Sequence, residues 1–396
     1  MTIPPFQFAR RLRRASFVVT LAASTFVASQ PAHAQLASPG EFGRCAASFL
    51  KGSSTLLKKR TDALLKCADR LLACRLADDL GNGDFVACSE SATRACTVGF
   101  DKLTSLEDAT RRKVMGGCST LADPHFGDLL GLGFDRLLAE CGQVTTAGEA
   151  YDCMVSRVRC RAAGMAESIH PRTYELLAAT GLTTSHPEST SCLDERTAPL
   201  TVTGDPSLLA ACQKGMAKTL SKAYYKVPSG MGACVGNLLE CRLHEDHLLF
   251  DLEQPPTCYV TDASASSCQK ANTGLSAARG TGILVKAASY CAGVPVADML
   301  SSLNFEAECS GVATPTSLVD CARAAMAEHV LHLVDEVAPR TCQVGDESPW
   351  NVFSLGDFCA PHCGNAVVED DESCDDGNLD PDDACTNECG PGPMAM

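Results

Sequence analysis

The sequence predicts a mainly α-helical protein, made of two tandem disulfide-stapled helical repeat units and a small, irregular cysteine-rich C-terminal module. A ten-residue motif, C-x3-L-L-x-C-R-L, occupies residues 67–76 and recurs at 234–243, an offset of 167 residues that predicts an internal duplication. Leucine and cysteine recur every seven residues along the first copy, as on one face of a helix. The 24 cysteines include no C-x-x-C pair, which favours disulfides over zinc.

Residues 1–34 predict a signal peptide. Four arginines at positions 10–14 precede a short apolar run over 16–29, and an A-x-A cleavage site ends at Ala34. That run is shorter than the ~20 apolar residues that span a bilayer, and no later segment is long and apolar enough. We therefore expect a bacterial protein that is exported to the periplasm or the extracellular space.

The mature chain is predicted to be strongly acidic. The signal peptide holds four of the 33 Lys and Arg residues and none of the 48 Asp and Glu residues, so removing it leaves 29 basic and 48 acidic residues, a net charge of −19. Such a charge argues against nucleic acid or anionic lipid as a partner and is compatible with cation binding.

The first helical unit is predicted over residues 35–198. Its cysteines are spaced 22 and 7 residues apart before the Gly81–Asp84 turn, and 8 and 22 apart after it. This near mirror image predicts two antiparallel helices with nested disulfides, although six cysteines allow 15 connectivities and symmetry alone selects this one. The predicted pairs are Cys74–Cys88, Cys67–Cys96 and Cys45–Cys118. Gly52 weakens the case for one continuous first helix.

The second unit is predicted over residues 199–345. Spacings of 22 and 7 return before its turn, followed by 10 and 23. The same mirror logic predicts Cys241–Cys258, Cys234–Cys268 and Cys212–Cys291. The Val227–Gly230 segment contains Pro228 and should break or kink the first helix of this unit.

The C-terminal module, residues 346–396, has 13 acidic residues and no Lys or Arg. Its stretch 363–389 contains Cys363-Gly364-Asn365, Cys374-Asp375-Asp376-Gly377-Asn378, Cys385 and Cys389. It resembles the myxococcal-type cysteine-rich repeat, with Ala366 where that family usually has glycine. The resemblance implies extracellular display and disulfides but no activity. The helical units resemble uncharacterised cysteine-rich helical secreted proteins of the same kind of bacteria.

Two groups of residues are candidate metal ligands. The first group alternates oxygen-bearing side chains, as a hard cation such as calcium requires: Asp376, Asn378, Asp380 and Asp382. The alternative is a solvated acidic turn clamped by disulfides. The second group forms two i,i+3 histidine pairs that would suit zinc or copper: His244 with His247, and His329 with His332. The alternative there is ordinary surface histidine on a helix.

No motif for catalysis is present: the chain lacks HExxH, GxSxG, a P-loop and GxGxxG. We therefore expect a non-enzymatic, disulfide-rich structural or interaction protein of the bacterial envelope or extracellular space. A protein partner is expected rather than a small molecule, and calcium is the candidate cofactor. The alternatives are a cation-binding module and a hydrolase on a novel helical scaffold.

Overall fold

A computed structural model of the chain describes residues 39–79, 81, 83–121, 132–134, 141–195, 204–248, 262–305 and 309–338. These residues are mostly helical and include no strand, which confirms the mainly α-helical prediction. The helices are α1 (Pro39–Asp79), α2 (Phe85–Gly117), α3 (Ala147–Ile169), α4 (Thr173–Ala178), α5 (Leu182–Ser185), α6 (Pro187–Thr190), α7 (Pro206–Tyr224), α8 (Lys226–Leu248), α9 (Asp262–Arg279), α10 (Thr281–Ser289), α11 (Val296–Ser302) and α12 (Pro315–Val337). The signal peptide and the acidic module lie outside the described residues.

Helices α1 and α2 form the predicted antiparallel hairpin. Asp84 caps α2, because its carboxylate accepts hydrogen bonds from the backbone N–H groups of Val86 and Ala87 at 2.8 and 3.4 Å. Helix α1 runs without interruption through Gly52. A side chain at Gly52 would lie 2.9 Å from a methyl carbon of Val114, so glycine is needed there for the close approach of α2.

The disulfides of the hairpin are nested. Cys45 pairs with Cys118, Cys67 with Cys96 and Cys74 with Cys88, and their Cα atoms lie 4.5, 5.2 and 5.5 Å apart. These are the pairs that the mirror-image spacing predicts. They hold two long helices together at both ends and in the middle.

The second unit repeats the pattern in the residues that the structure describes. Cys212 pairs with Cys291 and Cys234 with Cys268, as the spacing predicts. The third predicted pair, Cys241–Cys258, falls outside the described side chains. Three further disulfides were not assigned from the sequence: Cys141–Cys153, Cys160–Cys192 and Cys309–Cys321.

The long first helix of the second unit is divided at Tyr225. Helix α7 ends at Tyr224 and α8 begins at Lys226. Pro228 is thereby placed in the first turn of α8, where its missing N–H group would have no helical acceptor. The break expected over Val227–Gly230 therefore falls just before that segment.

Helices α3 and α12 correspond closely, at an offset of 168 residues. Each has 23 residues, and each begins with a reciprocal cap in which a threonine and the residue three positions later bond to one another's backbone. The threonines are Thr146 and Thr314. One disulfide ties each of these helices to the chain before it, Cys141–Cys153 and Cys309–Cys321, and each spans 12 residues.

The described helices of both predicted units belong to one compact body and share one hydrophobic core. Helix α1 packs along α8, and α3 packs along α12. Gly236 allows α8 to approach α1 closely, since a Cβ atom there would lie 3.1 Å from the carbonyl oxygen of Gly43 and 3.4 Å from Cβ of Ala47. Arg157 and Arg161 of α3 form ion pairs with the buried Glu336 of α12.

Candidate anion-binding grooves

Two adjoining grooves on one side of the molecule are lined by lysine. Seven of the 12 lysines in the chain line them: Lys58, Lys59, Lys218, Lys222, Lys226, Lys270 and Lys286. Five helices contribute these side chains, and Lys222 and Lys226 are shared by both grooves. A concentration of positive charge in so acidic a chain marks this surface as the candidate site.

The polar groove lies between α1 and the junction of α7 with α8, and its volume is about 520 Å³. Its lining residues are Ser54, Thr55, Lys58, Lys59, Lys222, Tyr225, Lys226, Ser229 and Gly230; their carbon atoms form most of the exposed lining, and their hydroxyl and ammonium groups provide the polar part. Hydroxyl and ammonium groups are hydrogen-bond donors that suit an anion.

The mixed groove extends from the polar groove over α9 and α10, and its volume is about 730 Å³. Lys218, Lys222, Lys226, Lys270 and Lys286 contribute to its lining. Its other lining residues are largely apolar or small: Thr219, Ala223, Thr273, Gly274, Ala277, Ala278, Ile283 and Tyr290. It therefore offers positive charge together with an apolar surface.

Tyr225 fixes the polar groove against α1. Its phenol donates a hydrogen bond to the Asp62 carboxylate at 2.9 Å, and its backbone carbonyl accepts one from the Ser54 hydroxyl at 3.3 Å. Burial, together with the Asp62 charge, raises the pKa of the Tyr225 phenol, so it stays a donor at neutral pH. The ammonium of Lys58 lies 5.8 Å from the Tyr225 ring centroid, within the range of a cation–π contact.

The groove lysines have no paired carboxylate in the part of the chain that the structure describes, and the nearby Asp62 carboxylate is bonded to the Tyr225 phenol. No aspartate or glutamate is among the lining residues of either groove. None of the seven lysines forms an ion pair with a described carboxylate, and all seven are exposed. Like charges held side by side without counter-charges create a positive potential that attracts anions.

Disulfides stiffen the walls of the mixed groove. Cys212–Cys291 ties α7 to the chain just after α10, and Cys234–Cys268 ties α8 to α9. Tyr290 packs over Gly215 of α7, where a Cβ atom would lie 2.2 Å from the ring, and it remains 45% exposed. A groove formed in advance loses little conformational entropy when it binds a ligand.

The predicted histidine site is described only in part. His244 and His247 lie on α8, but their side chains are outside the described set. His329 packs against Gly164 of α3, and burial, together with the Arg161 charge, lowers its pKa to about 4. His332 lies 3.8 Å from the Glu328 carboxylate. At His329 the Arg161 charge opposes a cation, whereas the charges of Glu336 and Asp194 act in the opposite direction.

The predicted calcium ligands, Asp376 to Asp382, lie outside the described residues. Within the described ranges, no group of three or more His, Cys, Asp or Glu side chains has a geometry that would hold a metal ion. The described helices also include none with the length and hydrophobicity to cross a bilayer.

The buried charged groups belong to structural networks away from the grooves. Arg60 is bonded to Glu107, which also accepts a hydrogen bond from Arg159 at 3.1 Å. His170 lies 4.0 Å from the Asp69 carboxylate and is only 1% exposed, too enclosed for contact with a substrate. The apolar cavity beside Phe49 and Phe134 has room for about one water molecule and is too small for a ligand.

The sequence alone does not point to the groove lysines, because most of them have no regular spacing comparable to that of the cysteines. One signal was present: Lys214, Lys218, Lys222 and Lys226 recur every four residues, as on one face of a helix. The other groove lysines are far away in sequence, so spacing alone does not connect them to this row.

The chain matches no protein-family model, and it has no significant match among curated proteins or solved structures. A functional assignment therefore rests on the chemistry of its own residues.

Proposed function

We propose that this chain is an exported, non-enzymatic binding protein that captures an anionic partner in its lysine-lined grooves. The observation that carries the proposal is the clustering of seven of its 12 lysines around grooves without lining carboxylates. Such a surface raises the local concentration of anions and speeds their association. The remaining acidic surface would repel anions elsewhere, which directs them to this side.

Export is supported by the eight disulfides of the described residues, which leave no free cysteine there. Such a density of disulfides is typical of oxidising compartments. The predicted signal peptide and the C-terminal resemblance to a secreted cysteine-rich repeat point to the same compartment.

Two contacts between the predicted units are related to one another by the 167-residue offset, which supports the proposed duplication. Ala47 approaches Gly236, and Asp69 interacts electrostatically with Lys214. Under the 167-residue offset, Ala47 corresponds to Lys214 and Asp69 corresponds to Gly236, so each contact is the counterpart of the other. This is expected when two like units pack about a twofold axis. Lys58 faces Tyr225, its own counterpart under that offset, so the polar groove would lie on this axis.

The test is a calorimetric titration of the disulfide-intact mature protein with tripolyphosphate. We expect binding that weakens strongly between about 50 and 200 mM salt, because the attraction is electrostatic. Lys222→Gln with Lys226→Gln should weaken binding by about tenfold or more, since charge-assisted hydrogen bonds contribute roughly 1.5–3 kcal/mol each.

The matched control is Lys102→Gln with Lys113→Gln, which removes the same charge from exposed positions of α2. It should leave the affinity within about twofold, since these lysines are outside the grooves. Absence of binding by the wild type, or an equal loss in the control, would contradict the proposal.

A further inference from the structure

The mixed groove differs from the polar groove in having aliphatic side chains among its lining residues. Ala223, Ala277, Ile283 and the ring of Tyr290 lie among the lysines of its lining and give it an apolar surface. An anion that is hydrated on all sides, such as phosphate, would gain nothing from this apolar surface. A ligand with an apolar portion would remove it from water and gain about 0.8 kcal/mol per buried methylene.

The two grooves meet at Lys222 and Lys226, which line both. A charged group held there would be within reach of the hydroxyl and lysine groups of the polar groove. A chain attached to that group would extend into the mixed groove. The volume of about 730 Å³ lies within the range of small-molecule sites, roughly 300–1,000 Å³.

We propose that the ligand is a small amphiphilic anion, with an anionic head at Lys222 and Lys226 and a single apolar chain along the mixed groove. This inference rests on the proposed anion-binding function and narrows it to one chemical class. It differs from the expectation of a protein partner, because a rigid concave groove of this volume fits a small molecule better than a flat protein surface.

Exposed apolar side chains next to the groove are consistent with such a ligand. Tyr290 is 45% exposed, and its ring is held by α7 through Gly215. An aromatic ring fixed in this way presents a flat apolar surface without losing side-chain entropy on binding. Ile283 is half-buried and lies on the same side, whereas Val285, 63% exposed, is not among the lining residues.

The experiment measures the affinity of the disulfide-intact mature protein for ethyl, butyl, hexyl and octyl phosphate, each below its micelle concentration, alongside pyrophosphate. We expect the affinity to rise with chain length, by up to about fourfold for each methylene that is buried. Ile283→Ser should reduce that rise and leave pyrophosphate binding within about twofold, because Ile283 contacts only the apolar portion. Val285→Ser is the matched control and should change neither the rise of affinity with chain length nor the affinity for pyrophosphate.

The outcomes separate the two proposals. If pyrophosphate binds and the affinity is independent of alkyl chain length, the amphiphile inference is overturned and anion binding stands. If none of these anions binds, the amphiphile inference and the proposed anion-binding function are both overturned. Binding to phosphatidylglycerol vesicles without binding to octyl phosphate would also overturn the inference, since it would indicate a membrane surface as the target.

Discussion

Asp69 and His170 are neighbouring, sheltered groups whose pKa values shift in opposite directions. Burial raises the pKa of the Asp69 carboxyl to about 6, against a smaller opposing effect of the Lys214 charge. Burial lowers the pKa of His170 to about 4. At neutral pH the pair therefore consists of a sheltered carboxylate and a neutral imidazole, with 4.0 Å between the nearest oxygen and nitrogen.

The shift at Asp69 predicts a dependence of stability on pH. Because the carboxyl binds its proton more tightly in the folded state, its favourable contribution is present below about pH 4 and is lost as the pH rises through about 6. Asp69→Asn should therefore raise the free energy of unfolding by about 1–2 kcal/mol at pH 8, and the gain should shrink toward pH 4. Urea denaturation across this pH range measures it.

The control for this prediction is Asp101→Asn, at an exposed position of α2. It should change the free energy of unfolding by less than about 0.5 kcal/mol at any of these pH values. A loss of stability in Asp69→Asn at pH 8 would show that the Lys214 attraction outweighs the burial of the carboxylate.

At the scale of the helices, the disulfides of the α1–α2 hairpin differ in the length of chain that they close. Cys45–Cys118 spans 73 residues and Cys67–Cys96 spans 29. All four of these cysteines are buried, so the packing lost on replacement by alanine is similar in the two pairs. Chain entropy then decides which disulfide contributes more.

We expect Cys45→Ala with Cys118→Ala to destabilise the protein more than Cys67→Ala with Cys96→Ala. The difference from loop length alone is about 0.8 kcal/mol at 25 °C. Guanidinium denaturation of each double variant, with the other disulfides intact, measures it. Equal losses, or the reverse order, would mean that residual structure in the unfolded chain dominates over loop closure.

The helices also differ in how well their ends could be predicted. The Gly81–Asp84 turn and the proline starts of α1 and α7 follow from local chemistry, and the structure has them there. The continuity of α1 through Gly52 was not predictable, because it depends on the approach of Val114 from α2. Pro228 predicts a break close to Tyr225, whereas the contacts of Tyr225 with Asp62 and Ser54 of α1 could not be predicted from the sequence.

At the scale of the whole molecule, the two helical units are joined by buried contacts. Gln213 donates a hydrogen bond to the carbonyl of Ile169, and Arg172 donates one to the carbonyl of Ser302 at 3.0 Å. A side chain at Gly232 would lie 3.2 Å from Cβ of the fully buried Leu50. Separating the units would expose these groups to water.

We therefore expect residues 35–198, produced alone with their disulfides, to self-associate. Co-production with residues 199–345 should give a 1:1 complex, because the buried faces are complementary. Size-exclusion chromatography with light scattering measures both outcomes. A first unit that stays monomeric and well ordered at high concentration would contradict this expectation and support two independent domains.

The sequence by itself determined the helical class and the nested disulfides of the described residues. Both follow from short-range geometry, since a helix repeats every 3.6 residues and two antiparallel helices place mirror-image cysteines opposite one another. Only the tertiary structure decided how the units pack and where positive charge collects. The groove lysines range from Lys58 to Lys286, and five helices bring them together. The row from Lys214 to Lys226 is its one local signature. The rest of the surface depends on contacts between helices far apart in the chain.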